Sequence, residues 1–204
     1  MRRIGPATGR FAQMRPALPA ALFAVLIAAA ALPGCIPVMV AGAAGGAAMV
    51  ATDRRTAGAQ VDDEGIEIKI TAEVERLYGD RVHVNATSYN GIVLLTGEVP
   101  DQGAWASVGA FAKAQAKVRD VRNELVVGPP TSLSQRSNDS YITSKVKARF
   151  IEANKFPPNA VKVVTERGVV YLMGIVSRQE GDAAGEVAAT TEGVAKVVKV
   201  FEYR

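Results

Sequence analysis

The sequence predicts an α/β chain of the α+β type: two small domains of one kind, each a three-stranded mixed sheet covered by two helices. Three observations lead there. A block in the second half of the chain repeats a block in the first with its glycines in register. Each block reads as strand, tight turn, strand. Each is preceded by apolar residues at helical spacing and followed by an Ala-rich segment.

The repeat runs from Val84 to Val99 and again from Val161 to Val176. Gly91 matches Gly168, Leu95 matches Leu172, Gly97 matches Gly174 and Val99 matches Val176. Asn90-Gly91 and Arg167-Gly168 supply turn glycines, which take positive φ without steric cost. Upstream, Ile70–Val74 parallels Ile142–Val146; downstream, Val118–Leu125 parallels Val194–Phe201. Between hairpin and last strand lie Ala104–Ala116 and Ala183–Glu192, whose apolar spacing suits a helix on a sheet. Each copy therefore reads helix, strand, strand, helix, strand. The expected domains are residues 62–127 and 138–204, with 128–137 as a linker around Gly128-Pro129-Pro130-Thr131-Ser132. A unit this small buries little apolar surface alone, so the two copies are expected to pack on each other.

The chain before the repeat has a different character. Arg2, Arg3, Arg10 and Arg15 precede an apolar run from Ala17 to Ala31, which ends at Leu32-Pro33-Gly34-Cys35. A basic start, a short apolar stretch and small residues at its end make residues 1–34 a secretory signal. The run is too short, and too soon broken by Pro33 and Gly34, for a membrane span. Cys35 is the only cysteine. Leu32 and Gly34 before it resemble the bacterial lipobox, in which the thiol receives a diacylglyceryl group. Lipidation at Cys35 is the expectation, and a lone cysteine excludes an intrachain disulfide. Residues 35–61, rich in Gly and Ala, read as a tether. Ile36 stands where an Asp would retain many lipoproteins in the inner membrane, so the expected place is the outer membrane, lipid-anchored and facing the periplasm.

Cleavage before Cys35 changes the charge argument. The chain holds 24 Lys and Arg against 20 Asp and Glu. The leader's four arginines are the whole excess, which removes the case for nucleic-acid binding. The remaining charge is divided unevenly: residues 61–127 hold 7 basic and 11 acidic side chains, and residues 136–204 hold 11 and 8.

The glycine pairs, the order of elements and the closing Val118, Val121, Asn123 and Leu125 resemble the BON domains, a family of bacterial osmotically induced and nodulation proteins. Asp53-Arg54-Arg55-Thr56-Ala57-Gly58 before the first copy and Asn138-Asp139 with Tyr141-Ile142-Thr143 opening the second strengthen the likeness. It implies a stress-associated envelope lipoprotein whose second domain binds anionic phospholipid through its first helix, from Asn138 to Lys155. Where the family opens that helix with Trp, this sequence has Tyr141, an interfacial ring of smaller area.

Helical projection asks whether the residues agree. In the first copy Ile66, Ile70, Val74 and Leu77 form the core stripe, and Glu67, Glu73, Glu75, Lys69 and Arg76 give an acidic, solvated exterior. In the second copy Ile142, Val146, Phe150 and Ala153 form the stripe, with Arg149 at its edge. Outward lie Tyr141, Ser144, Lys145, Lys147, Ala148, Ile151 and Lys155, the candidate lipid-binding residues. An aromatic, an aliphatic and lysines on one side suit an interfacial helix. Packing of Ile151 against the first domain is an equal reading of the residues alone.

Catalysis finds few residues to use. His83, the only histidine, has no second imidazole or free thiol beside it for zinc or Cys/His chemistry. Asp62-Asp63-Glu64 reads as a solvated entry to the first helix, and Trp105 as core or interdomain packing. The expectation is a non-enzyme without cofactor or metal. Two classes remain: a binder of anionic phospholipid membrane that supports outer-membrane integrity, or a protein-binding adaptor for outer-membrane assembly proteins or misfolded clients.

Overall fold

A computed structural model describes residues 53–204. The leader, Cys35 and residues 36–52 of the expected tether lie outside the described residues.

Helix α1 spans Ala57–Tyr78, with the Thr56 side chain accepting from the Ala59 amide at its start. It buries Ile66, Ile70 and Val74 against the sheet. Leu77 was expected in that stripe but is 39% exposed, because Tyr78 and Val82 close that end of the core instead. A short 3-10 turn leads to β1 (His83–Tyr89), β2 (Ile92–Val99), α2 (Gln102–Lys113), β3 (Asp120–Asn123) and β4 (Val126–Val127). The second copy follows as α3 (Leu133–Ala153), β5 (Lys162–Glu166), β6 (Val169–Val176), α4 (Arg178–Ala189) and β7 (Lys196–Tyr203). Both first helices start earlier than the apolar pattern predicts. Thr56 caps α1 inside the expected tether. Ser132 and Gln135 form a capping box for α3 inside the expected linker.

Each sheet is mixed, as expected. β1 pairs antiparallel with β2, and β3 and β4 pair parallel with β2 in one register; β5, β6 and β7 repeat the pattern. The last strand of the first copy is interrupted at Glu124-Leu125. There the Asn123 carboxamide donates to the Trp105 carbonyl and accepts from the Leu125 amide, while the indole donates to the Leu125 carbonyl. Trp105 thus belongs to the first domain's core.

The copies correspond differently from the expected helix alignment. Ile66, Ile70 and Val74 occupy the places of Ile142, Val146 and Phe150. Pairing Ile70 with Ile142 is one helical turn out. A four-residue slip rotates a helix by only about 40°, so the apolar pattern barely distinguishes the two registers. The correct register aligns two buried carboxylates. Asp139 accepts from the amides of Arg167 and Gly168, and Asp63 from those of Asn90 and Gly91. Asp63 also accepts from the Ser88 hydroxyl and the Arg55 guanidinium. Asp63 is therefore a buried clamp between helix and hairpin, not part of a solvated acidic entry. Burial opposes its charge, but these four donors outweigh burial and hold its pKa below the ordinary carboxylate value.

The two copies pack sheet on sheet. Along β2, Val93, Leu95 and Val99 face the first domain's helices while Leu94 faces the second domain. Along β6, Val170, Leu172 and Val176 face their own helices while Tyr171 and Met173 meet Tyr89 and Leu94. The result is four layers, helix, sheet, sheet, helix. Arg54 closes the edge: its guanidinium donates to both Glu180 carboxylate oxygens (2.6 and 2.8 Å) and to the Ile175 carbonyl (2.8 Å). The Arg54 bonds, against some burial and helped by the Ser177 amide and hydroxyl, lower the Glu180 pKa to about 2.

Two predictions follow from these contacts. A Cβ on Gly97 (φ +111°) would fall on the His83 carbonyl, and one on Gly174 on the Ala160 carbonyl, whereas a Cβ on Gly65 meets nothing. In urea melts, Gly97→Ala and Gly174→Ala should each lose on the order of 3 kcal/mol, and Gly65→Ala should gain roughly 0.5–1 kcal/mol. The Glu180 pKa is lowered on folding, so its contribution is present above the ordinary 4.5 and lost as pH falls toward 2. The stability gap between the parent and Arg54→Met should be flat above pH 4.5 and narrow between 4.5 and 2, down to the part due to the Ile175 carbonyl bond.

Candidate functional site

Helix α3 lies on the outside of its sheet, so whatever its core stripe leaves over faces away from the protein. The stripe is Ile142, Val146 and Phe150, with Ala153 packed at its edge. On the opposite side Tyr141 is 62% exposed and Ile151 66%. Ile151 does not pack into the first domain. Ser144 and Ala148 are exposed along the same side, and Lys155 is exposed just past the end of the helix. The capping box at Ser132 extends this face to Leu133, 77% exposed, which the apolar pattern alone did not include.

The serines on this side are less polar than their type suggests. Ser137 donates to the Leu133 carbonyl, Ser140 to that of Arg136 and Ser144 to that of Ser140. Each hydroxyl proton is spent on the helix's own backbone four residues back. The surface between Leu133, Tyr141 and Ile151 thus presents few donors that need water.

The three lysines are not equivalent. Lys145 is half-buried, its ammonium 4.8 Å from the Tyr141 ring and 3.7 Å from Glu192. Lys155 stands 4.0 Å from Glu186. Lys147 is exposed and makes no ion pair among the described residues. Arg149, at the edge, donates to the Thr191 hydroxyl. Five of the seven expected side chains are thus exposed on α3, Lys155 is exposed just past its left-handed cap at Asn154, and Lys145 sits partly within its flank. Cys35 lies outside the described residues.

Helix α1 offers the contrast. Its exterior carries exposed Glu64 and Glu75, but also Val61 (70% exposed) and Ile68 (61%). The acidic, solvated exterior expected of it is thus corrected: two aliphatic side chains stand among its charges.

Beside α3 the two domains enclose a cavity of about 300 Å³. Lys147, Phe150 and Ile151 line one wall, Arg55 and Tyr89 another, and Lys162 contributes a second lysine. The Arg55 guanidinium lies over the Tyr89 ring, 4.3 Å from its centroid, and is bonded to Asp53 and Asp63. Burial opposes the charge of Asp53, but the Arg55 bonds outweigh it and keep the carboxylate pKa low. Burial, aided by the Asp53 charge, pushes the Tyr89 hydroxyl pKa up. Lys162 is paired with Glu67 at 2.9 Å. The cavity was not foreseen from sequence, because its walls come from segments about a hundred residues apart.

His83 is half-buried, with Nε2 3.6 Å from Glu166. Among the described residues no group of three or more His, Cys, Asp or Glu could hold a metal ion, and no helix is long and apolar enough to cross a membrane.

Comparison with known proteins agrees with this architecture. The chain is 42% identical over 174 residues to the outer membrane lipoprotein DolP of Haemophilus influenzae, covering 84% of this chain and 90% of that protein. It is 37% identical to a 21 kDa hemolysin of Actinobacillus pleuropneumoniae, over 74% of this chain and 79% of the other. Osmotically-inducible protein Y of Escherichia coli is 29% identical over 72% of this chain and 80% of its own length. The BON domain signature matches residues 62–129 and again 138–204, one match per layered half. The chain, with two such domains stacked through their sheets, belongs to the BON domain family.

Proposed function

We propose that this protein is a non-enzymatic outer-membrane lipoprotein, acylated at Cys35 and facing the periplasm, that binds anionic phospholipid through the exposed side of α3. Its work is to support outer-membrane integrity. The location rests on the leader, the lipobox-like Leu32-Pro33-Gly34-Cys35 and the similarity to an outer-membrane lipoprotein. The lipid reading rests on one observation: Tyr141 and Ile151 project from the same helix side, separated by Ala148 and self-bonded serines, with Lys147 uncommitted at the flank.

The energies assign separate tasks to anchor and helix. Each acyl CH₂ buried contributes roughly 0.8 kcal/mol, so lipidated Cys35 would hold the chain almost irreversibly. Burying the exposed part of Ile151 and of the Tyr141 ring contributes about 1–2 kcal/mol each, and a basic residue near an anionic surface about 1 kcal/mol. The helix therefore orients the domains and selects lipid, while the acyl chains give residence.

A second reading has its own observation. Val61 and Ile68 on α1, beside Glu64 and Glu75, suit a protein partner with basic residues better than anionic lipid. That face would serve an adaptor for envelope assembly proteins.

Vesicle flotation separates the two. The compact unit Gly42–Arg204 contains every core residue described above and can be used without the leader. It should float with phosphatidylglycerol vesicles and not with phosphatidylcholine vesicles. Tyr141→Glu with Ile151→Glu should reduce the bound fraction at least tenfold, and Val61→Glu with Ile68→Glu should leave it intact. Unchanged flotation of the α3 variant would sink the lipid reading.

A further inference from the structure

We infer that the first hairpin carries a latent modification site. When the Asp63 clamp opens, Asn90 loses its side-chain nitrogen as ammonia, and the aspartate or isoaspartate left behind weakens the stacking of the two domains.

Asn90 is the only asparagine of the chain followed by glycine. Glycine has no side chain to screen its backbone nitrogen, so in an open chain that nitrogen reaches the Asn90 Cγ. It gives its proton to solvent, forms a bond to Cγ and expels the carboxamide nitrogen as ammonia, leaving a five-membered succinimide. Water then adds to one of the two ring carbonyl carbons and breaks that carbon's bond to the ring nitrogen. Opening at Cγ gives aspartate. Opening at the backbone carbonyl gives isoaspartate, whose main chain runs through Cβ and Cγ. One water is consumed and one ammonia released, with no oxidant or reductant.

The folded turn blocks the first step. Asn90 and Gly91, both at positive φ (52° and 75°), form the two-residue loop between β1 and β2. The Gly91 amide donates to Asp63 Oδ1 at 2.8 Å and the Asn90 amide to Oδ2 at 2.7 Å. Removing the Gly91 proton would set a second negative charge against a buried carboxylate. The Asn90 carboxamide is meanwhile held by the second domain, donating to Glu202 Oε2 at 2.9 Å. Arg119 donates to the Asn90 carbonyl at 3.1 Å.

The hydrolytic step has a source of water. A cavity of about 120 Å³ lies against the turn, with Asp63, Ile66, Asn90, Gly91 and Arg119 in its walls. At roughly 30 Å³ for each water, that is room for a few. The second hairpin is built alike, with Asp139 on the amides of Arg167 and Gly168 at φ 53° and 74°, but has no carboxamide to lose. The turn itself therefore does not require asparagine. What Asn90 adds is the bond to Glu202.

Refolding does not reverse the change. Aspartate at position 90 sets a carboxylate where a donor faced Glu202, so repulsion replaces an interdomain bond. Isoaspartate lengthens the loop by one backbone atom, and its two amides no longer match both Asp63 oxygens. A chain that has stood open thus returns with a looser interface.

The test follows the unit Gly42–Arg204 in mildly alkaline buffer, by mass spectrometry of its proteolytic peptides. Asn90 should convert at least tenfold faster in urea than in the folded unit. Asp63→Asn, which keeps an acceptor without the charge, should raise the folded-state rate at least tenfold, and Asp139→Asn at the other turn should not. In the parent, low urea that speeds exchange of the Gly91 amide should speed conversion in proportion, a reading that needs no variant. Asn90→Asp should lower the urea midpoint, and Glu202→Gln on that background should recover part of the loss by restoring a donor. Equal conversion in folded and unfolded chains would overturn the gating, as would an equal effect of Asp139→Asn or conversion independent of Gly91 exchange. An unchanged midpoint for Asn90→Asp, or no recovery with Glu202→Gln, would overturn the effect on stacking.

Discussion

The packing of one three-stranded sheet on the other is the constraint from which the rest of the structure follows. Two helices can cover only one face of such a sheet. The central strands β2 and β6 carry apolar side chains on both faces, Leu94 opposite Leu95 and Met173 beside Leu172. Left alone, each domain would expose the second face to water. Stacking the sheets buries Tyr89, Leu94, Tyr171, Met173 and Val200 together. Because the sheets take the middle, all four helices are outermost, and the outward sides of α1 and α3 remain available for binding.

An apolar interface could slide, and polar contacts around its rim fix the register. Asn85 donates to Glu166, Asn90 and Arg119 donate to Glu202, and Lys162 pairs with Glu67. Glu98 is fully buried and receives the amide and hydroxyl of Thr131, which ties the linker to β2. Contacts of this kind contribute modest net stability but penalise any misaligned arrangement, since a slip leaves a buried charge unpaired. Arg54 acts in the same way from the chain's entry, binding α4 of the second domain before the first has begun. The fold thus holds its beginning and its last helix together.

Much of this was legible in the residues, and the failures have physical causes. The hairpins were plain because glycine has few substitutes at a positive φ or under a carbonyl, and Gly91, Gly97, Gly168 and Gly174 keep their spacing in both copies. The helix register was not, since a shift of one turn moves an apolar stripe by too little to notice. The decisive residues there are Asp63 and Asp139, which bind the turn amides; a carboxylate three residues before the first core Ile in each copy was the available signal. Helix starts were missed for a related reason: Thr56 and Ser132 stand before stretches with little apolar content, so the caps carry the information and hydropathy does not. The exposed side of α3 was largely readable, because outward positions follow from the core stripe. Pairing among lysines was not, since Glu192 and Glu186 reach Lys145 and Lys155 from beyond α3.

A tethered protein changes what its binding face must achieve. Seventeen residues lie between Cys35 and Asp53, and a chain of that length spans at most roughly 60 Å. In the proposed arrangement the anchor confines the domains to a shell near the bilayer but does not choose which surface they present. Within such a shell the effective concentration of the membrane is on the order of millimolar. A contact of only a few kcal/mol is then enough to set orientation, which is the scale available from Tyr141, Ile151 and one uncommitted lysine. A stronger face would add nothing to residence already secured by acyl chains. A weak one keeps the domains exchanging between lipids.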